Sequence, residues 1–128
     1  MQNIADKVSE AELEILKVLW ANDRPMTDRQ IRDALNEGSD WKATTIQTLI
    51  KRLLDKSALF REKKDVFYYS SAVSREEFEK SRTEDFIGKV FGGNAKGLLS
   101  TLLNNDILSK ADMNDLKNYW QEMRTQDE

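Results

Sequence analysis

The sequence predicts a mainly α-helical fold with one small β-hairpin, arranged as an N-terminal head followed by a C-terminal helical arm. Three observations lead to this fold class. Apolar residues recur at helical spacing through most of the chain, and helix-capping sequences precede the helical segments. The spacing shortens to two around residues 59–70, where β-prone residues follow one another. A chain of 128 residues has the length of one compact domain, or of one small domain with an appendage.

Three short helices are expected in the head. Residues 9–12 (SEAE) and 27–30 (TDRQ) are capping boxes, in which the first side chain accepts from the fourth amide and the fourth side chain reaches back. They begin the first two helices, which are expected to end near residues 22–25 and 37–39. A third helix is expected over residues 43–56, with a buried face formed by Ile46, Leu49, Ile50 and Leu53.

A β-hairpin is expected to follow the third helix directly. Residues 59–63 and 66–70 are short and β-prone, and Lys64 with Asp65 forms the turn between them. Phe60 and Phe67 are expected to pack inward. Trp20 and Trp41 are likewise expected in the core. Three helices followed by a hairpin is the element order of a winged helix-turn-helix domain.

The rest of the chain is expected to be helical. A third capping box at residues 74–77 begins a long helix that runs to about Phe91 and is broken by Gly92 and Gly93. A short apolar helix follows over residues 95–103. A last helix begins at the capping sequence of residues 109–112.

The composition excludes several kinds of chemistry. The chain contains no cysteine and no histidine, so disulfides, zinc fingers and histidine- or cysteine-dependent catalysis are ruled out. Acidic clusters at residues 76–79 and 112–115 lie in the first turns of helices, where carboxylates complement the helix dipole. We therefore expect no enzyme activity, no cofactor and no metal site. No apolar run approaches the roughly 20 residues that span a bilayer, and residues 1–10 lack the pattern of a signal peptide. A cytoplasmic protein without membrane insertion is expected.

The charge is unevenly distributed. The net charge is -3, yet residues 41–64 hold seven basic and two acidic residues, a local charge of +5. A basic patch on an acidic chain is typical of a nucleic-acid-binding surface, because phosphate contacts need positive charge only where they form.

The outward face of the third helix has the side chains that read DNA. Gln47 can pair with adenine through two hydrogen bonds, and short threonines can meet phosphates or a thymine methyl. In the hairpin, basic residues beside Tyr68 and Tyr69 can flank a DNA backbone. The alternatives are an ordinary amphipathic surface helix and a solvated hairpin edge whose lysines oppose aggregation. The predicted DNA-binding residues are Lys42, Thr44, Thr45, Gln47, Thr48, Lys51, Arg52, Arg61, Lys63 and Lys64.

The arm carries more large apolar side chains than three short helices can cover. A second copy related by two-fold symmetry is the economical explanation, and the alternative is packing against the head. We therefore predict a winged-helix DNA-binding domain at residues 1–72 and a helical dimerisation domain at residues 73–128. The predicted dimerisation residues are Phe86, Val90, Phe91, Leu98, Leu99, Leu102, Leu103, Leu116 and Trp120.

Three stretches resemble the BlaI/MecI/CopY family of bacterial winged-helix repressors. They are residues 9–20 (SEAELEILKVLW), residues 41–53 (WKATTIQTLIKRL) and the end of the hairpin at residues 66–69 (VFYY). The resemblance covers nearly the whole chain. It implies a homodimer that binds a palindromic double-stranded DNA operator and regulates β-lactamase, penicillin-binding-protein or copper-transport genes.

Three departures from the family pattern limit what the resemblance implies. Lys42 and Ala43 stand where the family has Ser-Pro at the start of the recognition helix. Copper-responsive members carry a C-terminal cysteine motif, and this chain has no cysteine. In β-lactam-responsive members a membrane sensor protease cuts an Asn-Phe bond, and the corresponding residues here are Thr101 and Leu102.

The competing interpretation of the whole chain is a small helical protein-interaction adaptor without DNA binding.

Overall fold

The computed structural model describes residues 7–127, and from Glu10 onward these residues form six helices and one hairpin. The predicted class, mainly α with a small hairpin, is confirmed. The elements are α1 (Glu10–Asn22), α2 (Asp28–Leu35), α3 (Ala43–Asp55), β1 (Leu59–Lys63), β2 (Phe67–Ser71), α4 (Arg75–Phe91), α5 (Ala95–Asn104) and α6 (Lys110–Asp127). None of the described helices is long and apolar enough to cross a membrane.

The helices begin where the capping sequences predict. The Ser9 hydroxyl accepts from the Glu12 amide at 3.1 Å, and the Ser9 amide donates to the Glu12 carboxylate at 2.9 Å. Thr27 and Gln30 form the same reciprocal pair at α2. Helix α1 ends at Asp23, which takes the left-handed conformation with φ 47°. These starts and stops are local, because each is formed by residues a few positions apart.

The head has one apolar core, to which α1, α2, α3 and the hairpin all contribute. Trp20 and Trp41 are partly buried and pack against this core, in agreement with their predicted place. The buried apolar residues are Val8, Ile15, Leu16, Leu19, Met26, Ile31, Ile46, Leu49, Ile50, Leu53, Ala58, Leu59, Val73 and Phe78.

The hairpin is antiparallel, with Leu59 opposite Ser71 and Lys63 opposite Phe67. The second strand is Phe67–Ser71, one residue later than the sequence suggested, so the connection comprises residues 64–66. The prediction that Phe60 and Phe67 pack inward is wrong, because Phe60 is 64% exposed and Phe67 is 37% exposed. Successive strand residues face opposite sides, so the burial of Leu59 turns Phe60 outward. Phe67 lies at the far end of the hairpin, beyond the core.

The N-terminal compact unit extends into α4. Val73 and Phe78 are buried in the head core, and the Arg82 guanidinium donates to the Val8 carbonyl at 2.7 Å. The first unit therefore ends at Asp85 and the second begins at Phe86. The head thus continues past residue 72, where the sequence placed the boundary, because the first turns of α4 complete its core.

The second unit has no buried side chain among its described residues 86–125. It contains the end of α4, then α5 and α6. Gly92 and Gly93 separate α4 from α5, and their φ angles of 59° and 85° explain why glycine is needed there. Large apolar side chains remain in contact with solvent on all three helical segments: Phe86, Val90, Leu99, Leu103, Leu116, Tyr119, Trp120 and Met123.

Candidate nucleic-acid interface

Helix α3 has one buried and one exposed face. Its apolar side chains fix it in the head core, as the sequence predicted. The opposite face carries the six polar side chains predicted to contact DNA on this helix, and all six are exposed: Thr44, Thr45, Gln47, Thr48, Lys51 and Arg52. The arrangement is that of a recognition helix, whose apolar face holds it to its domain while its polar face remains free for a groove.

The three threonines of this face differ in what they can donate. The Thr48 hydroxyl donates to the Thr44 carbonyl at 2.9 Å, so its single proton is already used within the helix. Its oxygen can still accept, and its methyl group can meet a thymine methyl. Thr44 and Thr45 lie in the first turn of α3, where phosphate contacts from hydroxyl groups are common.

The start of α3 is open to an anion. Lys42 is the N-cap residue and makes no side-chain capping hydrogen bond, so the first-turn amides receive no side-chain acceptor. A helix N-terminus of this kind favours a phosphate, through its free N–H groups and its dipole. The exposed Lys42 ammonium adds positive charge at the same place. The Lys42-Ala43 departure from the family pattern therefore leaves a start that suits a DNA backbone.

A reciprocal hydrogen bond fixes the turn between α2 and α3. The Trp41 amide donates to the Asn36 side-chain oxygen at 2.6 Å, and the Asn36 side-chain amide donates to the Trp41 carbonyl at 3.2 Å. Because Trp41 also packs against the core, this pair sets the position from which α3 begins.

Two basic residues of α2 lie beside the exposed polar face of α3. Arg29 and Arg32 line a cleft between α2 and α3 together with Gln47 and Asp28. Neither arginine is among the DNA-binding residues predicted from the sequence, which all lie in the third helix, at its start or in the hairpin. Their spacing of three residues on one helix was the available signal, since it places both on the same face.

The wing, residues 59–71, exposes three cations. The Arg61 guanidinium carbon lies 4.4 Å from the centre of the Phe67 ring, and the Lys63 ammonium lies 5.6 Å from the same point. The Lys64 ammonium lies 5.6 Å from the centre of the Tyr68 ring. All three predicted wing residues are therefore at the surface, each beside an aromatic ring.

Tyr69 has a structural position. Its backbone amide and carbonyl pair with Met26 at 2.8 and 2.9 Å, and its ring packs against the core. Burial raises the pKa of the Tyr69 phenol, and the negative charge of Asp28 adds to this effect. Tyr69 thus joins the wing to the start of α2.

Lys56 does not belong to the basic surface, although it contributes to the local charge of the sequence. Its ammonium donates to both carboxylate oxygens of Glu12, one of them at 2.7 Å, and to the Lys7 carbonyl at 2.7 Å. Burial alone would raise the pKa of Glu12, but the Lys56 and Ser9 hydrogen bonds and the Lys56 charge lower it below its usual value. Lys56 therefore joins the end of α3 to the start of α1.

The predicted dimerisation residues lie on all three helical segments of the second unit. Phe86 and Phe91 contact each other edge-on, with ring centres 5.8 Å apart. Four of the others lie on α5, with Leu98 and Leu102 half-buried and Leu99 and Leu103 exposed. Leu116 and Trp120 are exposed on α6.

The peptide bond between Thr101 and Leu102, which the resemblance predicts to be the counterpart of a cleaved bond, lies inside α5. The Thr101 hydroxyl donates to the Gly97 carbonyl at 3.0 Å, and the Thr101 carbonyl accepts from the Asn105 side chain at 2.8 Å. The peptide bond therefore lies in regular helix, and the hydrogen bond from the Asn105 side chain lies at the end of that helix.

The chain is similar to known bacterial repressors. The family model described as penicillinase repressor matches residues 8–122. The chain is 32% identical to the penicillinase repressor of Bacillus licheniformis over 111 residues, 86% of each protein. It is 29% identical to the methicillin resistance regulatory protein MecI of Staphylococcus aureus (strain N315) over 119 residues, 92% of this chain and 96% of that protein. The solution structure of the DNA binding domain of the repressor BlaI matches with a TM-score of 0.51 and 33% identity, covering 60% of this chain and 93% of that one.

Proposed function

The chain belongs to the penicillinase repressor family, and we propose that it represses transcription by binding a palindromic DNA operator as a homodimer. The observation that carries this function is the exposed polar face of α3, held on a head that resembles the DNA binding domain of a known repressor. A protein-interaction adaptor is the weaker interpretation, because the family is one of DNA-binding repressors. Those repressors are not enzymes, and we propose that this chain acts by binding alone.

Reading of the DNA sequence is assigned to α3 in the major groove. Gln47 lies in the middle of the exposed face and suits an adenine, through two hydrogen bonds to its N6 and N7 atoms. Thr48 directs its methyl group outward, because its hydroxyl is bonded to its own helix, and so suits a thymine. Lys51 and Arg52 suit a guanine or a phosphate.

Contacts to the DNA backbone are assigned to the edges of this face. The open start of α3 with Lys42 forms one edge, and the wing cations Arg61, Lys63 and Lys64 form another. Arg29 and Arg32 provide further positive charge beside Gln47. Such contacts fix the register of a protein on the duplex without reading its sequence.

The second unit, from Phe86 onward, is assigned to dimerisation, because its described residues 86–125 bury no side chain in a single chain. On α6 the apolar residues Met113, Leu116, Trp120 and Met123 follow one another at spacings of three and four, which is the pattern of a helix that packs along a partner helix. Two heads joined by such an arm would meet half-sites one helical turn, or a multiple of it, apart.

The remaining assignments follow from this function. A repressor acts at the chromosome, so we place the protein in the cytoplasm. Two relatives are named for penicillinase and methicillin resistance, and β-lactam-resistance genes are the proposed targets. Release through a membrane sensor protease stays a prediction. The bond between Thr101 and Leu102 differs from Asn-Phe and lies in a helix that must open before cleavage.

The Gln47→Ala variant tests the reading role. In full-length protein, it should weaken binding to a duplex selected by the wild type by roughly 1 to 3 kcal/mol per half-site, while binding to an unrelated duplex changes little. Fluorescence anisotropy with both duplexes measures the two affinities. Gln121→Ala, a change of an exposed glutamine on α6, is the matched control. If the Gln47→Ala protein still preferred the selected duplex as strongly as the wild type does, another residue on the exposed face of α3 would have to read the sequence.

A further inference from the structure

The three wing cations all lie against aromatic rings of the neighbouring strand. Lys63 faces Phe67 directly across the hairpin, and Arg61 faces the residue two positions further along β2, so both side chains reach the same ring. Lys64 reaches the ring of Tyr68. A cation over an aromatic face is attracted by the electron density of the ring. The two rings therefore give all three cations a preferred place before any DNA is present.

No carboxylate of the described residues forms an ion pair with a wing cation. The ion pairs of Lys17 with Glu14 and of Lys56 with Glu12 include no wing cation. The one acidic residue within β1, Glu62, is opposite Tyr68 on the other face of the hairpin from Arg61 and Lys63. An ion pair would also hold a basic side chain in place, but it would cancel the charge that a phosphate needs. An aromatic ring holds the cation and leaves its charge intact.

Phe67 has no place in the core that would explain its size. It is 37% exposed and lies at the end of the hairpin, outside the head core. Two cations lie over its ring, at 4.4 and 5.6 Å from the ring centre. Phe60 gives the contrast, because it is 64% exposed on the opposite face and no described cation lies over its ring.

We propose that Phe67 is a positioning residue for DNA backbone binding, whose ring holds Arg61 and Lys63 extended and charged for phosphates, and that Tyr68 does the same for Lys64. The inference rests on the proposed DNA-binding function and deepens it. Long basic side chains lose much rotamer freedom when a phosphate orders them, and ordering before binding removes part of that cost. The ring contacts therefore strengthen binding to every duplex sequence alike.

The test compares Phe67→Leu with Phe67→Tyr in full-length protein. Ordering a long basic side chain only on binding weakens the affinity by roughly two- to tenfold for each side chain. Phe67→Leu, which removes the ring contact of two such side chains, should therefore bind both a selected and an unrelated duplex at least about fourfold more weakly. Phe67→Tyr keeps a ring and should bind like the wild type. Phe60→Leu is the matched control, because it removes an exposed ring of the same hairpin that holds no described cation. Thermal unfolding of each variant checks that the head remains folded.

A double-mutant cycle separates positioning from a merely structural role. In an Arg61→Gln, Lys63→Gln background, Phe67→Leu should cause no further loss of DNA affinity, because the cations that the ring holds are gone. An equal loss in both backgrounds would overturn the inference, as would Phe67→Leu protein that binds as tightly as the wild type at every salt concentration. If the wild type binds no duplex, both the proposed function and this inference are wrong. If the wild type binds and Phe67→Leu matches Phe60→Leu, the inference alone fails.

Discussion

Replacing Leu116 and Trp120 by glutamate in the full-length chain should give a monomer whose affinity for a two-half-site operator is ~100-fold lower or worse. The two side chains are 46% and 59% exposed in a single chain, so glutamates there cost the monomer little. In the proposed dimer the same positions are expected to lie against the partner, where an unpaired charge is strongly unfavourable. The loss arises because two tethered heads bind as one ligand, whereas separate heads bind one at a time.

Sedimentation velocity and titration of two duplexes measure this effect. The variant should sediment as a monomer and bind a duplex with one half-site as well as the wild type does, because the head is unchanged. Asn114→Glu with Asn118→Glu is the matched control, since it adds the same charges at the same spacing on the opposite, polar side of α6. A Leu116, Trp120 variant that remains dimeric, or a monomer with undiminished affinity for the two-half-site duplex, contradicts the assignment of the arm.

The Lys56→Met variant should lose about 3 kcal/mol of the free energy of unfolding at neutral pH, at the low end of what breaking a buried ion pair costs. Glu12 is only 1% exposed, and without Lys56 its carboxylate is a buried charge that lacks its cation. Adding Glu12→Gln removes that charge and retains the capping pattern at Ser9, so the double variant should recover most of the loss. Lys17→Met, which breaks an exposed pair with Glu14, is the control and should change the free energy by less than ~1 kcal/mol.

The pH dependence of this prediction has a definite sign. In the wild type the pKa of Glu12 is lowered on folding, so its contribution to stability is present above the pKa of the unfolded chain and is lost as the pH falls through the folded pKa. In Lys56→Met the burial is no longer offset by the ammonium, and the pKa of Glu12 is expected to rise instead. The difference in the free energy of unfolding between the wild type and Lys56→Met, measured with urea, should therefore become smaller as the pH falls from 7 towards 4. A gap that stays constant over this range would contradict the role given to the ion pair.

The helix boundaries were predictable from the sequence because their determinants are local. Ser9 with Glu12, and Thr27 with Gln30, form caps from residues three positions apart. The breaks at Gly92 and Gly93 follow from a backbone conformation that favours glycine. The buried and exposed faces of α3 also followed from its 3.6-residue period, and with them the candidate reading residues.

The features that were missed depend on contacts between distant parts of the chain. Lys56 resembles a phosphate-binding lysine in the sequence, but its partner Glu12 is 44 residues away. The exposure of Phe60 depends on which face of the two-stranded hairpin meets the core, and the exposure of Phe67 depends on how far the hairpin extends beyond the core. The place of Arg29 and Arg32 beside Gln47 depends on how α2 packs on α3.

Selection of duplexes from a random-sequence pool by the full-length wild-type protein tests the central claim most directly. The selected duplexes are expected to share an inverted repeat whose half-sites lie one helical turn, or a multiple of it, apart. Enrichment of a single unrepeated half-site would contradict the dimeric arrangement of the heads. A pool that shows no enrichment at all would contradict the claim that this chain is a sequence-specific repressor.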